Sequence, residues 1–413
     1  MALAPSFKTL SYDKVYFYLL LVFAFTTPLS RAAVSFFIVV FPLIWLIEGN
    51  YRAKLEQIKS SPVLLSILVF ILFELLSILW SDNLDLALSY ARMYSYLICL
   101  FVLATVVKKE WTHKAVNFFL YGMLVSEFFA YLIFFDIYAI KGQPPEYPSP
   151  FMFHIDYSIF LAFTSILLLN RIFSNSYTRK KKLFIFLFFA TVTINLFIST
   201  GRTGQLAFLV ALFVSIIIHF KLSVKSLLFF ALLSASIFYG AYKTLPLFET
   251  RVNQAVSDIK LWRSGNYQSS WGLRALFWVI SSEVVKEHPL LGVGLGDYRE
   301  ATKAFFSKSD CPIHLSKSLQ EWCEDTHFHN QYLMVLVQSG IIGLVLLLAI
   351  FFYLYRLRIK DPEIKEISIL FTTVYLVSFI AEPLFMKQFP LVLFVLFGGL
   401  FIASASGERR VIV

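Results

Sequence analysis

Three short clusters in the second half of the chain contain the residues best suited to chemistry. The first reads S-T-G-R-T-G-Q over residues 199–205 and places a single arginine, Arg202, between two long apolar runs. An arginine at membrane depth is costly unless it meets an anion or extends to the interface. The surrounding hydroxyl and glycine N–H groups favour a phosphate-like ligand over a simple interface anchor, with Thr203 in support.

The second cluster combines a cation, an aromatic ring and a run of glycines. Arg274 and Trp278 are four residues apart and share one helix face, as a sugar phosphate site would need. The alternative is an exposed arginine that stacks on its own helix. Residues 289–296 read P-L-L-G-V-G-L-G without a preceding strand, which predicts a tight turn and not a dinucleotide site. Asp297 and Tyr298 follow directly and are candidate supporting residues.

The third cluster reads H-F-H-N-Q-Y over residues 327–332 and opens another long apolar run. Histidine can move a proton near neutral pH, and His329 is our candidate catalytic residue. A structural role at the helix end fits the same pattern. His327 and Asn330 are candidate supporting residues, because a neighbouring amide could orient the imidazole ring or hold a sugar hydroxyl.

Composition indicates which elements must position these residues. Of the 413 residues, 58% are hydrophobic and only 15% are charged, against about 25% charged residues in ordinary soluble chains. The sequence therefore predicts an all-α polytopic membrane protein. Twelve apolar runs are long enough to span a bilayer, and their centres lie near Phe23, Phe41, Ile71, Leu97, Glu127, Phe160, Ala190, Val210, Ser234, Leu344, Tyr375 and Phe397.

The distribution of lysine and arginine predicts the orientation of these spans. An even number of spans puts both termini on one side, and most of the 36 basic residues then fall in short loops and tails on that side. The positive-inside rule identifies it as the cytoplasm. The net charge of +10 is thus explained by orientation, and no nucleic-acid-binding pattern accompanies it. Spans 1–9 occupy residues 1–246 and spans 10–12 occupy residues 329–413, with one large external loop at residues 247–328 between them.

The external loop is predicted to form a small helical cap. The serine pair at 269–270 could cap a helix that carries apolar residues at helical spacing and ends at Pro289. Asp297, with Glu300 three residues later, resembles a capping box for a second short helix that runs through Phe306.

Two cysteines in the external loop, Cys311 and Cys323, are expected to form a disulfide in an oxidising compartment. Closing a loop of this length could contribute about 3 kcal/mol. The alternative is a zinc site, in which His327 and His329 would join the two cysteines as ligands.

Three acidic residues lie within or beside apolar runs: Glu74, Glu127 and Asp156. Acidic groups at membrane depth are by default functional or paired. The candidate partners are Arg31, Arg92 and Arg202.

The three clusters together resemble a known family. Residues 202–206 are similar to the R-x3-L element of the O-antigen ligases, and His329-Asn330 followed by Gly340 and Gly343 matches their H-[NSQ]-x9-G-x2-[GTY] element. The R-x3-W and P-L-x-G-x-G-x-G segments between them are similar to the wider O-antigen ligase and polymerase superfamily. The elements lie in order around one external loop and cover about a third of the chain.

The resemblance implies a bacterial inner-membrane glycosyltransferase of GT-C-like fold. It would transfer finished O-antigen polysaccharide from undecaprenyl pyrophosphate to lipid A-core oligosaccharide on the periplasmic side, with inversion. Arg202 and Arg274 would bind the donor pyrophosphate, and His329 would be the catalytic base. No cofactor and no metal are expected, because the pyrophosphate donor is already activated and arginines can hold its charge.

Other functions of the chain stay open. An O-antigen polymerase or a protein O-oligosaccharyltransferase would use the same donor with another acceptor, which the sequence does not reveal. A secondary transporter with twelve helices is less favoured, because the two halves show no internal repeat and the largest loop joins spans nine and ten.

We expect reporters fused after Lys182 or Lys360 to lie in the cytoplasm and reporters fused within residues 247–328 to lie in the periplasm, because basic loops stay inside. Paired fusions to alkaline phosphatase and β-galactosidase would measure both sides. A cytoplasmic signal from the external loop would contradict the orientation and place the three clusters on the wrong face.

Overall fold

A computed structural model describes residues 12–140, 144–199, 201–263, 267–309, 313 and 315–405. Within these ranges the regular secondary structure is helical, so the predicted all-α class is confirmed. The α-helices, numbered in chain order, are α1 Tyr12–Thr26, α2 Arg31–Glu48, α3 Tyr51–Ser60, α4 Pro62–Leu76, α5 Leu84–Tyr94, α6 Leu97–Val106, α7 Thr112–Phe134, α8 His154–Phe173, α9 Arg179–Ile198, α10 Arg202–Phe220, α11 Val224–Thr244, α12 Pro246–Arg263, α13 Ser270–Glu287, α14 Tyr298–Ser307, α15 Lys317–Asp325, α16 Gln331–Tyr355, α17 Pro362–Ser378 and α18 Gln388–Ser404.

Each of the twelve predicted span centres falls inside one of these helices. In the described part of the chain, nine helical segments are long and apolar enough to cross a membrane, and α18 is a shorter apolar helix. The chain is therefore a multi-pass membrane protein by length and composition. The nine segments are Arg31–Glu48, Pro62–Trp80, Leu84–Val106, Lys109–Phe134, His154–Phe173, Arg179–Ile198, Arg202–Phe220, Leu227–Thr244 and Gln331–Tyr355.

Helices α8 and α18 form the centre of the bundle. Almost every side chain of both is buried, as expected for helices that are apolar on all sides and surrounded by other helices. Phenylalanine rings pack tightly here. The centroid of Phe163 on α8 lies 4.6 Å from that of Phe397 on α18 and 5.0 Å from that of Phe371 on α17. Helices α10 and α16, which contribute to the site, pack against this central pair.

The described residues of the segment 247–328 contain helices, in agreement with the helical character that the sequence predicts for it. Ser269 caps α13 by accepting a hydrogen bond from the N–H of Gly272 (3.1 Å). Apolar side chains at helical spacing bury one face of that helix: Leu276, Phe277, Ile280 and Val284. Helices α12 and α15 in the same loop were not predicted.

The predicted capping box is wrong. Asp297 precedes α14, but its side chain makes no bond to that helix, and Glu300 pairs with Lys303 one turn later (3.1 Å). The carboxylate of Asp297 instead accepts three hydrogen bonds from the turn before α5. Three donors in that turn stabilise the carboxylate more than a single backbone amide of α14 would. The donors are Ser81 Oγ (2.8 Å), Asp82 N (2.6 Å) and Asn83 N (2.8 Å).

Helix α16 is broken at Gly340, where φ is +62°. The glycine-rich segment 289–294, which follows α13, enters the break and bonds with the backbone on both sides of it. This pairing satisfies groups that a broken membrane helix would otherwise leave without partners. The bonds are Val293 N to Val337 O (2.9 Å), Gly294 N to Gln338 O (2.9 Å) and Ile341 N to Pro289 O (2.9 Å).

The close approach of the two backbones explains two glycines of the family motifs. A Cβ atom at Gly340 would lie inside van der Waals contact with the carbonyl of Leu290, and a Cβ at Gly292 would lie 2.5 Å from the carbonyl oxygen of Val337. Both glycines also have positive φ, which other residues adopt at a cost. Backbone packing therefore accounts for these two glycines.

We expect Gly340→Ala to lower the unfolding temperature and the yield of monodisperse protein in detergent, because left-handed backbone costs a non-glycine residue about 1–2 kcal/mol before the clash is counted. Gly240→Ala is the matched control, since nothing lies within 4 Å of a Cβ placed there. Equal thermal stability of the two variants would contradict this account of the break.

Candidate active site

Arg202 is the first residue of α10, and α9 ends four residues earlier at Ile198. The start of α10 packs against α8 so closely that a Cβ at Gly201 or Gly204 would collide with Ser158. The N–H of Gly204 donates to Ser158 Oγ (3.1 Å). Arg202 thus stands at a helix N-terminus, where the helix dipole favours an anion.

The side chain of Gln205 links α10 to the end of α9. Its Nε2 donates to the carbonyl oxygens of Leu196 (3.2 Å) and Ser199 (3.1 Å), and the first of these also accepts from Ser199 Oγ (2.9 Å). These bonds hold the two helix ends together, so the guanidinium of Arg202 projects from a rigid base.

A cleft of about 600 Å³ contains both arginines that the sequence singled out. Arg202 and Thr203 reach it from α10, and Arg274 and Trp278 reach it from α13. Aromatic and aliphatic side chains form most of the remaining wall. These other lining residues are Leu206, Tyr267, Trp271, Ala275, Val279, Ile380 and Ala381.

The electrostatic environment of Arg274 connects the cleft to a buried acid. Burial lowers the pKa of Arg274, while the charges of Glu382 and Asp258 raise it. A guanidinium keeps its proton under such shifts. Arg274 therefore stays positively charged, and its charge interacts with the carboxylate of Glu382.

His329 lies immediately before α16 and has a positive φ of +48°, which is rare for a residue with a side chain. Its ring Nδ1 is 3.2 Å from Glu382 Oε1. Its backbone N–H donates to Nδ1 of His327 (3.2 Å). Burial, and then the proximity of His329, lower the pKa of His327 to about 4, so that this second imidazole is neutral near pH 7. The positive φ of His329 is a backbone strain that is typical of functional positions.

Glu382 is fully buried and lies at the centre of a chain of charges. Lys387 Nζ is 2.7 Å from Glu382 Oε2 and 3.4 Å from Asp156 Oδ1. Burial alone would raise the pKa of Glu382, but the hydrogen bond with His329 and the charge of Lys387 lower it to about 2. For Lys387, burial lowers the pKa, and the two carboxylates more than offset that effect, so its pKa is raised. Carboxylate and ammonium are therefore both charged near neutral pH.

Polar residues at the start of α16 fasten it to the loop that carries Glu382. Asn330 is the N-cap of α16 and accepts from Leu333 N (3.0 Å), while its Nδ2 donates to Ile380 O (3.0 Å). Gln331 bonds to the same loop through its backbone N–H, which donates to Phe379 O (2.8 Å), and its Oε1, which accepts from Phe385 N (2.9 Å). Asn330 supports His329 by fixing the backbone and not by a bond to its ring.

His329 lies beside the cleft and not in its wall. Ile380 and Ala381 line the cleft, and Glu382 is the next residue. On the other side, the ring of Phe277 is 6.3 Å from the ring of His329 and follows Arg274 by one helical turn. A partly exposed imidazole thus adjoins a cleft that holds two arginines.

Other predicted residues lie elsewhere or outside the described part of the chain. Tyr298 is buried, and its hydroxyl meets that of Tyr90 (3.2 Å), away from the cleft. Cys311 lies outside the described residues and Cys323 is buried, so the disulfide stays a prediction. The buried carboxyl of Glu74 accepts from Ser339 Oγ (2.7 Å) behind the break in α16.

The sequence did not point to Glu382 or Lys387, and it offered only arginines as candidate partners for Asp156. The charge of Arg31 does act on Asp156, but the ion-pair partner is Lys387. The available signal was an acid and a lysine five residues apart between two apolar helices. Their role follows only from the packing of α8 against the start of α18.

Comparison with known proteins agrees with the motifs. Residues 185–348 match the family model described as O-antigen ligase, which confirms the predicted resemblance to that superfamily. An uncharacterized protein of Haemophilus influenzae is 28% identical over 237 residues, 54% of this chain and 57% of that protein. The chain thus aligns with little more than half the length of this relative. The family match contains Arg202, Arg274 and His329 and ends before Glu382 and Lys387.

We expect Glu382→Gln to reduce stability at pH 7 by roughly 3 kcal/mol, because it breaks a buried ion pair. The pKa of Glu382 is depressed from 4.5 to about 2, so its stabilisation is present above pH 4.5 and is lost as pH falls toward 2. The gap in unfolding temperature between wild type and variant should therefore narrow between pH 7 and about pH 3.5.

Tryptophan fluorescence during heating in detergent would measure this gap. Glu300→Gln is the control, because its pair with Lys303 is exposed and should contribute little at either pH. A gap that stays constant over the pH range would show that Glu382 is not held as a carboxylate.

Proposed function

Because the central segment resembles O-antigen ligases, we propose that the protein is a membrane glycosyltransferase that ligates O-antigen polysaccharide to lipid A-core. The donor would be undecaprenyl pyrophosphate-linked glycan, used at the periplasmic face of the inner membrane. The observation that carries the proposal is the convergence of Arg202 and Arg274 on one aromatic cleft beside the His329–Glu382 pair.

The cleft suits an amphiphilic donor that has a pyrophosphate between a sugar and a long apolar chain. Two arginines can hold phosphate oxygens with bidentate hydrogen bonds, and the N-terminus of α10 adds backbone amides beside one of them. Trp271 and Trp278 line the cleft and are about half exposed. Such rings can cover a sugar face or an isoprenoid chain.

The transfer step needs a base for the acceptor hydroxyl. The hydroxyl oxygen attacks the anomeric carbon, the bond from that carbon to the pyrophosphate oxygen breaks, and its electron pair stays with the leaving group. Arg202 and Arg274 stabilise the charge that gathers on the pyrophosphate. The proton of the hydroxyl passes to the free ring nitrogen of His329, since the other nitrogen faces Glu382. Attack opposite the leaving group inverts the anomeric centre.

Glu382 makes His329 a better base. Its carboxylate accepts a hydrogen bond from Nδ1–H of His329, which fixes the tautomer in which Nε2 carries the lone pair, and it stabilises the imidazolium once Nε2 is protonated. Lys387 and Asp156 hold that carboxylate in place. The two arginines provide the charge that a metal ion would supply in other glycosyltransferases, so the transfer is proposed to be metal-independent.

Deleting the gene in its host tests the function. We expect lipid A-core without O-antigen to accumulate while polymerised glycan stays linked to undecaprenyl pyrophosphate, and wild type to restore ligation. His329→Ala should lower the rate by about 10² to 10⁴, as loss of a general base commonly does. Lipopolysaccharide gels and extracted lipid-linked glycan would measure both pools.

Two controls sharpen this test. His327→Ala should retain most activity, because His327 contacts the backbone of His329 and not the proposed proton path. His288→Ala replaces an exposed histidine at the end of α13 and should change nothing. Persistent ligation in the deletion strain, with loss of glycan polymerisation instead, would identify a polymerase, and near-normal transfer by His329→Ala would exclude it as the base.

Arg202→Lys and Arg274→Lys should both fail to restore ligation, because an ammonium group cannot reproduce a bidentate contact with phosphate. The reduction should appear with normal protein levels in the membrane, measured by immunoblot. Lys243→Arg, a reverse exchange outside the cleft on α11, is the control. Normal ligation by either arginine variant would reduce that arginine to an interface anchor.

A further inference from the structure

We propose that His327, His329 and Glu382 form a binding site for a divalent transition-metal ion, best matched by Zn²⁺, and that occupation of this site inhibits the enzyme. One ligand atom from each residue lies within 4.8 Å of the others. Two imidazole nitrogens and one carboxylate oxygen are a ligand set that zinc takes in sites with an open fourth position. Binding stands on this geometry alone, whereas the inhibition rests on the proposed function.

The arrangement of the ligand atoms is close to that around a metal ion. His329 Nδ1 and Glu382 Oε1 are 3.2 Å apart. Two ligands bound at about 2.0–2.1 Å to a tetrahedral zinc ion are separated by about 3.3 Å, so this pair needs little movement. The ring centroid of His327 lies 4.4 Å from that of His329, which brings the third ligand to the same side.

The site is held rigidly and can be reached. Glu382 is fully buried and fixed by Lys387, and the strained backbone of His329 is tied to the first turn of α16. Both histidines are only partly buried. An ion can therefore reach the two imidazoles and keep a water molecule in its fourth position.

Two features limit the affinity and make binding reversible. The ammonium of Lys387, 2.7 Å from Glu382 Oε2, offsets part of the carboxylate charge that would attract a cation. The hydrogen bond from His329 N–H to His327 Nδ1 must open if that nitrogen becomes a ligand. We therefore infer an exchangeable ion that a chelator removes. Imidazole-rich ligation favours Zn²⁺, Co²⁺, Ni²⁺ or Cu²⁺ over Mg²⁺ and Ca²⁺.

Metal binding would act on the chemical step and not on the donor. An ion bound to Nδ1 of His329 and to Glu382 displaces the proton that lay between them. The neutral ring then carries its proton on Nε2, and this nitrogen no longer accepts one from the acceptor hydroxyl. Arg202 and Arg274 are not ligands of the ion, so the proposed pyrophosphate contacts do not change. The rate of transfer should fall while donor binding is preserved.

The test uses the full-length protein purified through an affinity tag that contains no histidine, after treatment with EDTA. Calorimetry with Zn²⁺ should show one ion per chain. Absorption spectra with Co²⁺ should show ligand-field bands without strong thiolate-to-metal charge transfer. His327→Ala and Glu382→Gln should each lower the affinity for Zn²⁺ by about 10-fold to 100-fold or more. A loss of about 10-fold to 100-fold is typical when a residue that only hydrogen-bonds to a metal ligand is removed. His288→Ala should bind as wild type does, and thermal unfolding should confirm that each variant is folded.

The transfer rate, divided by the metal-free rate of the same variant, supplies the second readout. Zn²⁺ should inhibit wild type, EDTA should restore it, and His327→Ala should be much less sensitive. Absence of saturable binding to wild type, unchanged affinity in His327→Ala and Glu382→Gln, or a thiolate band that points to Cys311 and Cys323 would overturn the site. Binding as described in a protein without any transferase activity would keep the site and overturn the proposed function instead.

Discussion

The candidate site of this protein depends on a break in a membrane helix. Helix α16 loses its helical geometry at Gly340, and the backbone of residues 289–294 supplies the partners that the opened groups need. The same segment ends α13 and leads into α14, so the pairing determines where α13 stands against α16. Arg274 lies on α13, and His329 lies just before the start of α16. Their proximity thus follows from a backbone interaction that involves neither side chain.

A second constraint is the chain of charges that runs from Asp156 through Lys387 to Glu382 and His329. Charges inside a membrane protein are expensive unless they are paired in good geometry. The pairing therefore restricts α8, α16 and the loop before α18 to one mutual arrangement. It also leaves the imidazole with one orientation, in which a single ring nitrogen is free for chemistry. The same closeness of a carboxylate and two imidazoles creates the proposed metal site.

The glycines and the acidic residue of the P-L-x-G-x-G-x-G region serve the scaffold. Gly292 and Gly340 permit two backbones to meet, and Asp297 caps the turn before α5. The residues of the candidate site lie at the rim of this scaffold, and two of them, Glu382 and Lys387, lie beyond the segment that matches the family model. The site is thus assembled from the matched segment together with the loop between α17 and α18.

The amino-acid sequence by itself determined the helical class, the position of each apolar helix and the cap of α13, and it singled out Arg202, Arg274 and His329 as candidates, because these depend on local composition, spacing and motif order. Only the tertiary structure decided which charges meet. Glu382 is 53 residues from His329, and Asp297 is more than 200 residues from the donors it binds. A buried charge takes whichever partner helix packing brings within reach, as Lys387 does for Asp156. The spacing of residues along a chain does not contain that information.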